Sequence, residues 1–209
     1  MEIRLTLLIT TSLIVLAAVG APTGRHVGHP RAVKGGGYIL SSCHSTLFPK
    51  LCYRSLAAYA TRIRANPNIL IHTALTITHK AALSGASTVR RMSKVRKLRP
   101  MEAAAMRDCE EQMGDSLYEL AKSVGEMGHL VRHGGAFDRR LASDIQTWVS
   151  AALTDATTCL DGLDEAQTRL PVKAVVGRHV GIVSRLASNV LALLHNYRTA
   201  NVARIHDAP

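Results

Sequence analysis

Beyond residue 67 the apolar positions recur every three or four residues, in four stretches that read as helices and not as strands. The first runs from Asn68, a good N-cap, to Leu98, with Ile71, Leu75, Thr78, Ala82, Ala86 and Val89 forming an Ala-rich stripe. The second follows Pro100, a residue suited to a first helical turn, and carries Met106, Cys109, Met113, Leu117, Leu120, Val124, Met127 and Val131. The third starts near Asp138 with Leu141, Ile145, Trp148, Ala152, Ala156, Cys159 and Leu163. The fourth follows Pro171 with Val172, Val176, Val180, Val183, Leu186, Val190, Leu193 and Tyr197. Each stripe needs a partner to cover it, and no stretch shows strand alternation. The economical solution is an all-α fold, an antiparallel four-helix bundle over residues 67–200, with residues 201–209 as a C-terminal tail.

Ahead of the bundle, residues 38–66 read as a helical hairpin turned at Phe48-Pro49-Lys50, which brings Cys43 and Cys52 together. Residues 22–37 are rich in Gly, Pro, His and basic side chains, lack apolar periodicity, and are expected to be flexible. The first 21 residues have the layout of a secretory signal peptide: Arg4, an uncharged run from Leu5 to Ala18, then small residues before Pro22. An uncleaved anchor is the alternative, because Leu5 to Ala21 is at the short end for a spanning helix.

Export permits disulfides, and the chain has four cysteines, Cys43, Cys52, Cys109 and Cys159, with no CxxC. Gly134-Gly135 stops the second helix. Counted from Gly135, Cys109 lies 26 residues back and Cys159 lies 24 forward. In an antiparallel hairpin the two therefore come nearly level. Of the three possible connectivities this geometry selects Cys43–Cys52 and Cys109–Cys159. A bridge across so long a loop is expected to stabilise the fold by roughly 3–4 kcal/mol.

These residues resemble the plant invertase and pectin methylesterase inhibitor family. The stretch Trp148 to Gly162, with Thr157-Thr158-Cys159 followed by Asp161, resembles the signature of the family's third bundle helix. Arg107 to Glu111 around Cys109 resembles its second-helix cysteine motif, and Leu51 to Leu56 its N-terminal hairpin. The resemblance extends from about Tyr38 to Tyr197. It implies a bundle that occludes the cleft of a cell-wall enzyme as a one-to-one complex, has no chemistry or cofactor of its own, and binds more tightly in the acidic wall. It also implies two branches. The invertase-directed branch carries Pro-Lys-Phe between the second and third bundle helices, where this chain has Gly135-Ala136-Phe137, so only Phe137 matches. The Trp148 to Gly162 wording favours pectin methylesterase as the partner, with acid invertase as the alternative. Contact residues are expected on exposed parts of the second and third helices, around Glu111, Ser150, Thr154 and Asp155. Some relatives are joined to a catalytic domain, for which this chain, ending at Pro209, is expected to have no room.

Charge complicates this picture. The 209 residues hold 26 Lys and Arg against 15 Asp and Glu, a net +11, and only five Tyr, two Phe and one Trp. Such a balance invites a nucleic-acid partner, but a secreted chain would meet none, and no membrane contact is expected of the mature form. Six cations cluster in ten residues: Arg90, Arg91, Lys94, Arg96, Lys97 and Arg99. They read either as the basic end of the first bundle helix or as a patch for a polyanion, either de-esterified pectin or an acidic enzyme surface. A polyanion-binding or signalling helical bundle with no enzyme target is the second functional alternative. Many plant pectin methylesterases are themselves basic, so the patch is expected either to select a neutral or acidic isoform or to lie away from the contact.

Catalysis finds no support. His129 and His133 are one helical turn apart but lack the Glu of a zinc-protease motif and a third ligand, so no metal site is expected. Trp148 and the methionines Met106, Met113 and Met127 are expected to be buried.

Overall fold

The computed structural model describes residues 36–135 and 137–206, with side chains described as far as residue 199. The expected signal peptide, nearly all of the expected flexible segment and the last three residues lie outside the described residues. Seven α-helices follow in order: α1 (Gly36–His44), α2 (Pro49–Leu56), α3 (Ala60–Ile63), α4 (Pro67–Ser93), α5 (Pro100–His133), α6 (Arg139–Glu165) and α7 (Leu170–His206), with a 3-10 turn at Ala57–Tyr59. α4 to α7 form the antiparallel four-helix bundle, in which α4 packs on α5 and α7, and α6 on the same two from the other side.

Local chemistry sets where each helix starts. The carboxamide of Asn66 accepts the N–H groups of Asn68 and Ile69, with Pro67 at the first helical position. Asn66, not Asn68, is therefore the cap of α4. Asp138 caps α6 by accepting the N–H of Leu141 at 2.8 Å. α5 ends where Gly134 and Gly135 take φ of +74° and +122°, conformations open to glycine. α4 ends at Ser93, five residues before the expected Leu98. The residue before Pro100 must be extended, and the chain gets there through Lys97 at φ +72°.

α7 starts at Leu170 and its backbone continues to His206, so the helix runs through residues 201–206, where a tail was expected. α1 starts at Gly36, ahead of the expected hairpin boundary at 38.

The core has the composition that the stripes anticipate. Met106, Met113, Leu120 and Met127 of α5 are fully buried, as are Ile145, Val149, Ala152 and Leu163 of α6, and Val176, Val180, Val183 and Leu194 of α7. α4 contributes Leu75, Ala82 and Val89. Cys109 and Cys159 join α5 to α6 across a Cα separation of 4.3 Å. Cys43 and Cys52 join α1 to α2 at 5.6 Å.

Two polar devices tie connecting segments to this bundle. Asn189 on α7 is almost fully buried; it accepts the N–H of Phe48 at 3.0 Å and donates to its carbonyl at 3.1 Å. One side chain thus satisfies both backbone groups at the turn between α1 and α2, and holds the hairpin on the bundle. In the first turn of α5 the side chain of Glu102 is fully buried and joins two loops. It accepts the backbone N–H of Arg99 at 2.8 Å and that of Arg169 at 2.9 Å. The Arg99 and Arg169 side chains reach the same carboxylate at 3.1 and 3.0 Å. Arg169 also donates to the Lys97 carbonyl at 2.7 Å, and Arg99 to that of Gln167. These donors, the Arg99 backbone N–H foremost and the Arg169 side chain next, outweigh burial and hold the carboxyl far below the usual range.

Candidate partner-binding face

The outer face shared by α5 and α6 contains two of the four positions expected to touch a partner, Glu111 and Asp155. On α5, Glu111 is exposed; Asp115 and Glu119 follow at successive turns of the same side. On α6, Asp155 is half-buried opposite them. Loss of water raises its pKa first, and the negative charges of Asp115 and Glu119 add to this, bringing it to about 6. Asp155 thus carries its proton in mildly acidic solution and loses it near neutrality.

One turn further along, Lys122 meets this row. Its ammonium lies 3.7 Å from Glu119 Oε2, 4.5 Å from the centroid of Trp148 and 5.3 Å from that of Tyr118. Tyr118 is 64% exposed, the largest open aromatic surface on this face. Trp148 is half-buried beneath Lys122, whereas the stripe on α6 places it in the core. Val149 takes the core position instead, fully buried. The physical reason is register: the buried stripe runs Ala142, Ile145, Val149, Ala152 and Ala156, which leaves Trp148 at its edge, packed against the core with the Lys122 ammonium over its ring.

The expected contact residues do not all converge. Glu111 and Asp155 belong to the acidic row. Thr154 is exposed, and its hydroxyl donates to the Ser150 carbonyl at 3.0 Å, an ordinary bond within the helix. Ser150 sits one turn after Gln146, which accepts a hydrogen bond from Arg198 of α7, so it belongs to the α6–α7 flank. Asp115, Tyr118, Glu119 and Lys122 were not singled out from the sequence. The signal for them was the three- and four-residue spacing of Glu111, Asp115, Tyr118 and Lys122, which puts them on one side of α5.

The six-cation stretch divides among four settings. Arg90 and Arg91 lie in the last turn of α4, Lys94 caps it, Arg96 and Lys97 are in the loop, and Arg99 precedes α5. Arg90 pairs with Glu110 at 3.2 Å and Arg99 with Glu102. Reading all six as the end of one helix is therefore corrected at Lys94, where the helix has already stopped.

His129 and His133 are exposed, with ring centroids 4.4 Å apart. Among the described residues no group of three His, Cys, Asp or Glu is placed to hold a metal, and no helix is long and apolar enough to cross a membrane. Phe137 is buried, its ring 4.9 Å from that of Tyr197.

Comparison with known proteins identifies the fold and its kin. Residues 37–193 match the family model described as plant invertase/pectin methylesterase inhibitor. Pectinesterase inhibitor 10 of Arabidopsis thaliana is 42% identical over 160 residues, covering 77% of this chain; the chain spans about half of that relative, 51% of its length. Pectinesterase inhibitor 9 of the same plant is 38% identical over 204 residues, covering 94% of this chain and 96% of that one. Among solved structures, a mutant form of a pectin methylesterase inhibitor from Arabidopsis superposes with a TM-score of 0.59 at 20% identity, over 73% of this chain and 92% of the other.

Proposed function

The chain belongs to the plant invertase/pectin methylesterase inhibitor family, and on that premise we propose that it is a secreted inhibitor of pectin methylesterase. It acts in the cell wall by covering the enzyme's cleft in a one-to-one complex. The observation that carries this reading is the pair of relatives named pectinesterase inhibitors, matched over 77% and 94% of the chain. Residues 1–21 are the export signal, residues 38–200 the inhibitor domain, and the wall is the site of action.

The enzyme-contacting face is that of α5 and α6, centred on Glu111, Asp115, Glu119 and Asp155, with Tyr118 and Lys122 as the aromatic and cationic elements beside them. Twelve of the fifteen acidic residues belong to these two helices. An acidic face suits a basic enzyme, which removes the difficulty that net +11 creates. Phe137, the single match to the invertase-directed loop motif, is buried against Tyr197 and offers little to a partner. That favours the pectin methylesterase branch over invertase.

The test is inhibition by the purified protein of several pectin methylesterases and of acid invertase side by side, with complex stoichiometry from light scattering. One-to-one complexes with at least one pectin methylesterase and none with invertase are expected. Inhibition of invertase alone would overturn the assignment.

A further inference from the structure

The cations of this molecule are segregated from its anions. No Asp or Glu occurs between Glu2 and Glu102, and none occurs in α7. α4 and α7 are neighbours in the bundle, so the outer surface they share is free of carboxylates among the described residues. Lys80 and Arg91 on α4 and Arg178 and Arg185 on α7 are exposed there. The α4–α5 loop adds exposed Lys94, Arg96 and Lys97 at one end.

Elsewhere cations and carboxylates meet at the seams, in the pairs Arg90–Glu110, Lys173–Asp164, and Arg99 and Arg169 with Glu102. The outward cations on α4, α7 and the loop have no ion-pair partner among the described residues; Arg91 donates only to the hydroxyl of Thr88, at 3.2 Å. Glu102 holds the loop in place through the Arg169 contact with the Lys97 carbonyl.

The charges form a track, not a pocket. Arg178 and Arg185 are two turns apart, about 10 Å along the axis, and Lys80 and Arg91 about 16 Å. A small anion would need convergent donors. A row of separated cations along adjacent helices fits a linear polymer with an anionic group on each repeat. The proposed target enzyme makes such a polymer when it removes methyl esters and leaves free carboxylates on a polyuronide chain.

We propose that the α4–α7 face and the α4–α5 loop bind de-esterified pectin, leaving the acidic α5–α6 face free for the enzyme. The choice of polymer rests on the proposed function; the existence of a polyanion track rests on the charge layout. Bound this way, the inhibitor is concentrated on the product of the reaction that it stops, and an enzyme working along that polymer meets it at raised local concentration.

The test uses the purified protein with polygalacturonate and with fully methyl-esterified pectin as probes, by calorimetry over a salt series. Binding to polygalacturonate alone is expected, with log K falling linearly against log salt. The variant K80E/R91E/R178E/R185E is expected to bind at least tenfold more weakly while keeping its helical circular dichroism. It should still form a complex with pectin methylesterase in gel filtration without pectin. The neutralised variant K80Q/R178Q/R185Q, less perturbing to folding, is expected to fall between the two.

Equal affinity for esterified and de-esterified polymer would overturn the proposal, as would unchanged binding by both variants. Tighter binding to heparin or duplex DNA than to polygalacturonate would assign the track to another class of polymer and also overturn it. If the protein binds polygalacturonate through these cations yet forms no complex with any pectin methylesterase, the inhibitor reading fails and the polymer track stands.

Discussion

The α5–α6 pair and the α4–α7 pair bury similar apolar stripes but turn opposite surfaces outward. α5 and α6 are joined by Cys109–Cys159 and contain twelve acidic residues, of which Glu102 is buried, against five Lys and Arg. α4 and α7 have no covalent link, meet where Gly85 lets Val183 come close beside Met113 of α5, and contain eight Lys and Arg with no acidic residue. Core pattern and surface charge are thus separately specified: the first sets the fold, the second sets what each face can meet. The charges of the two pairs nearly cancel, so the net +11 comes almost entirely from residues outside these four helices and describes neither face.

The largest test of this contrast is the covalent one. Replacing both Cys109 and Cys159 by Ser should lower unfolding free energy by roughly 3–4 kcal/mol in urea titration, on the chain-entropy account. A loss below about 1 kcal/mol would mean that the α5–α6 seam holds by packing alone, as α4–α7 does. Next comes the non-covalent seam. A Cβ at Gly85 would sit 3.2 Å from Met113 Cε and 3.6 Å from Val183 Cγ2. Gly85→Val should therefore cost about 1–3 kcal/mol by overpacking, read from the same titration.

The proposed roles of the two faces are tested through their charge. Asp115→Lys should weaken the complex with a basic pectin methylesterase by about tenfold, equivalent to ~1.4 kcal/mol, while Arg178→Glu leaves that complex within about twofold. Equal effects in calorimetry would dissolve the distinction between the faces.

The smallest effects are pH slopes, and they have opposite signs within the acidic pair. Glu102 is depressed in the folded state, so its stabilisation is present above its unfolded pKa near 4.5 and fades as pH falls below it. Glu102→Gln should flatten the acid limb of Tm against pH. Asp155 is raised to about 6 from 3.8, so the folded state binds its proton more tightly. Its stabilisation is full below about 3.8 and is lost as pH rises through about 6. Asp155→Asn should remove that decline and raise Tm at neutral pH relative to the parent. A steeper decline in the variant would remove Asp155 as its source.

The bundle was legible because its signals are local and periodic. Apolar stripes, Pro100, Asp138 and the Gly134-Gly135 stop are each read within one or two turns of chain. The α5–α6 hairpin follows from counting residues about that stop. The end of α4 was not legible, because the loop that replaces its last turn is tied by Arg169, which is distant in sequence. The buried roles of Glu102 and Asn189 depend on equally remote partners, the Arg169 loop and the Phe48 turn. The placement of Trp148 turned on the register of α6, since both Trp148 and Val149 fit a three- or four-residue step from Ile145 and only the packed bundle shows that Val149 is the buried one. Of the expected contact residues, Glu111 and Asp155 fall in one acidic row, while Ser150 belongs to another flank; register along α6 alone does not say which neighbour a side chain faces.

The spacing of the four cysteines bears on how the chain oxidises. Cys43 and Cys52 are 9 residues apart, Cys109 and Cys159 are 50 apart. Closing the shorter loop is entropically easier by ~1.5 kcal/mol. Mispairing Cys52 with Cys109 would span a distance similar to the native long bridge, so loop entropy alone does not reject it. Early closure of the hairpin does: it withdraws two of the four thiols and leaves Cys109 one partner. The small hairpin ahead of the bundle is therefore expected to bias pairing toward the native bridge behind it.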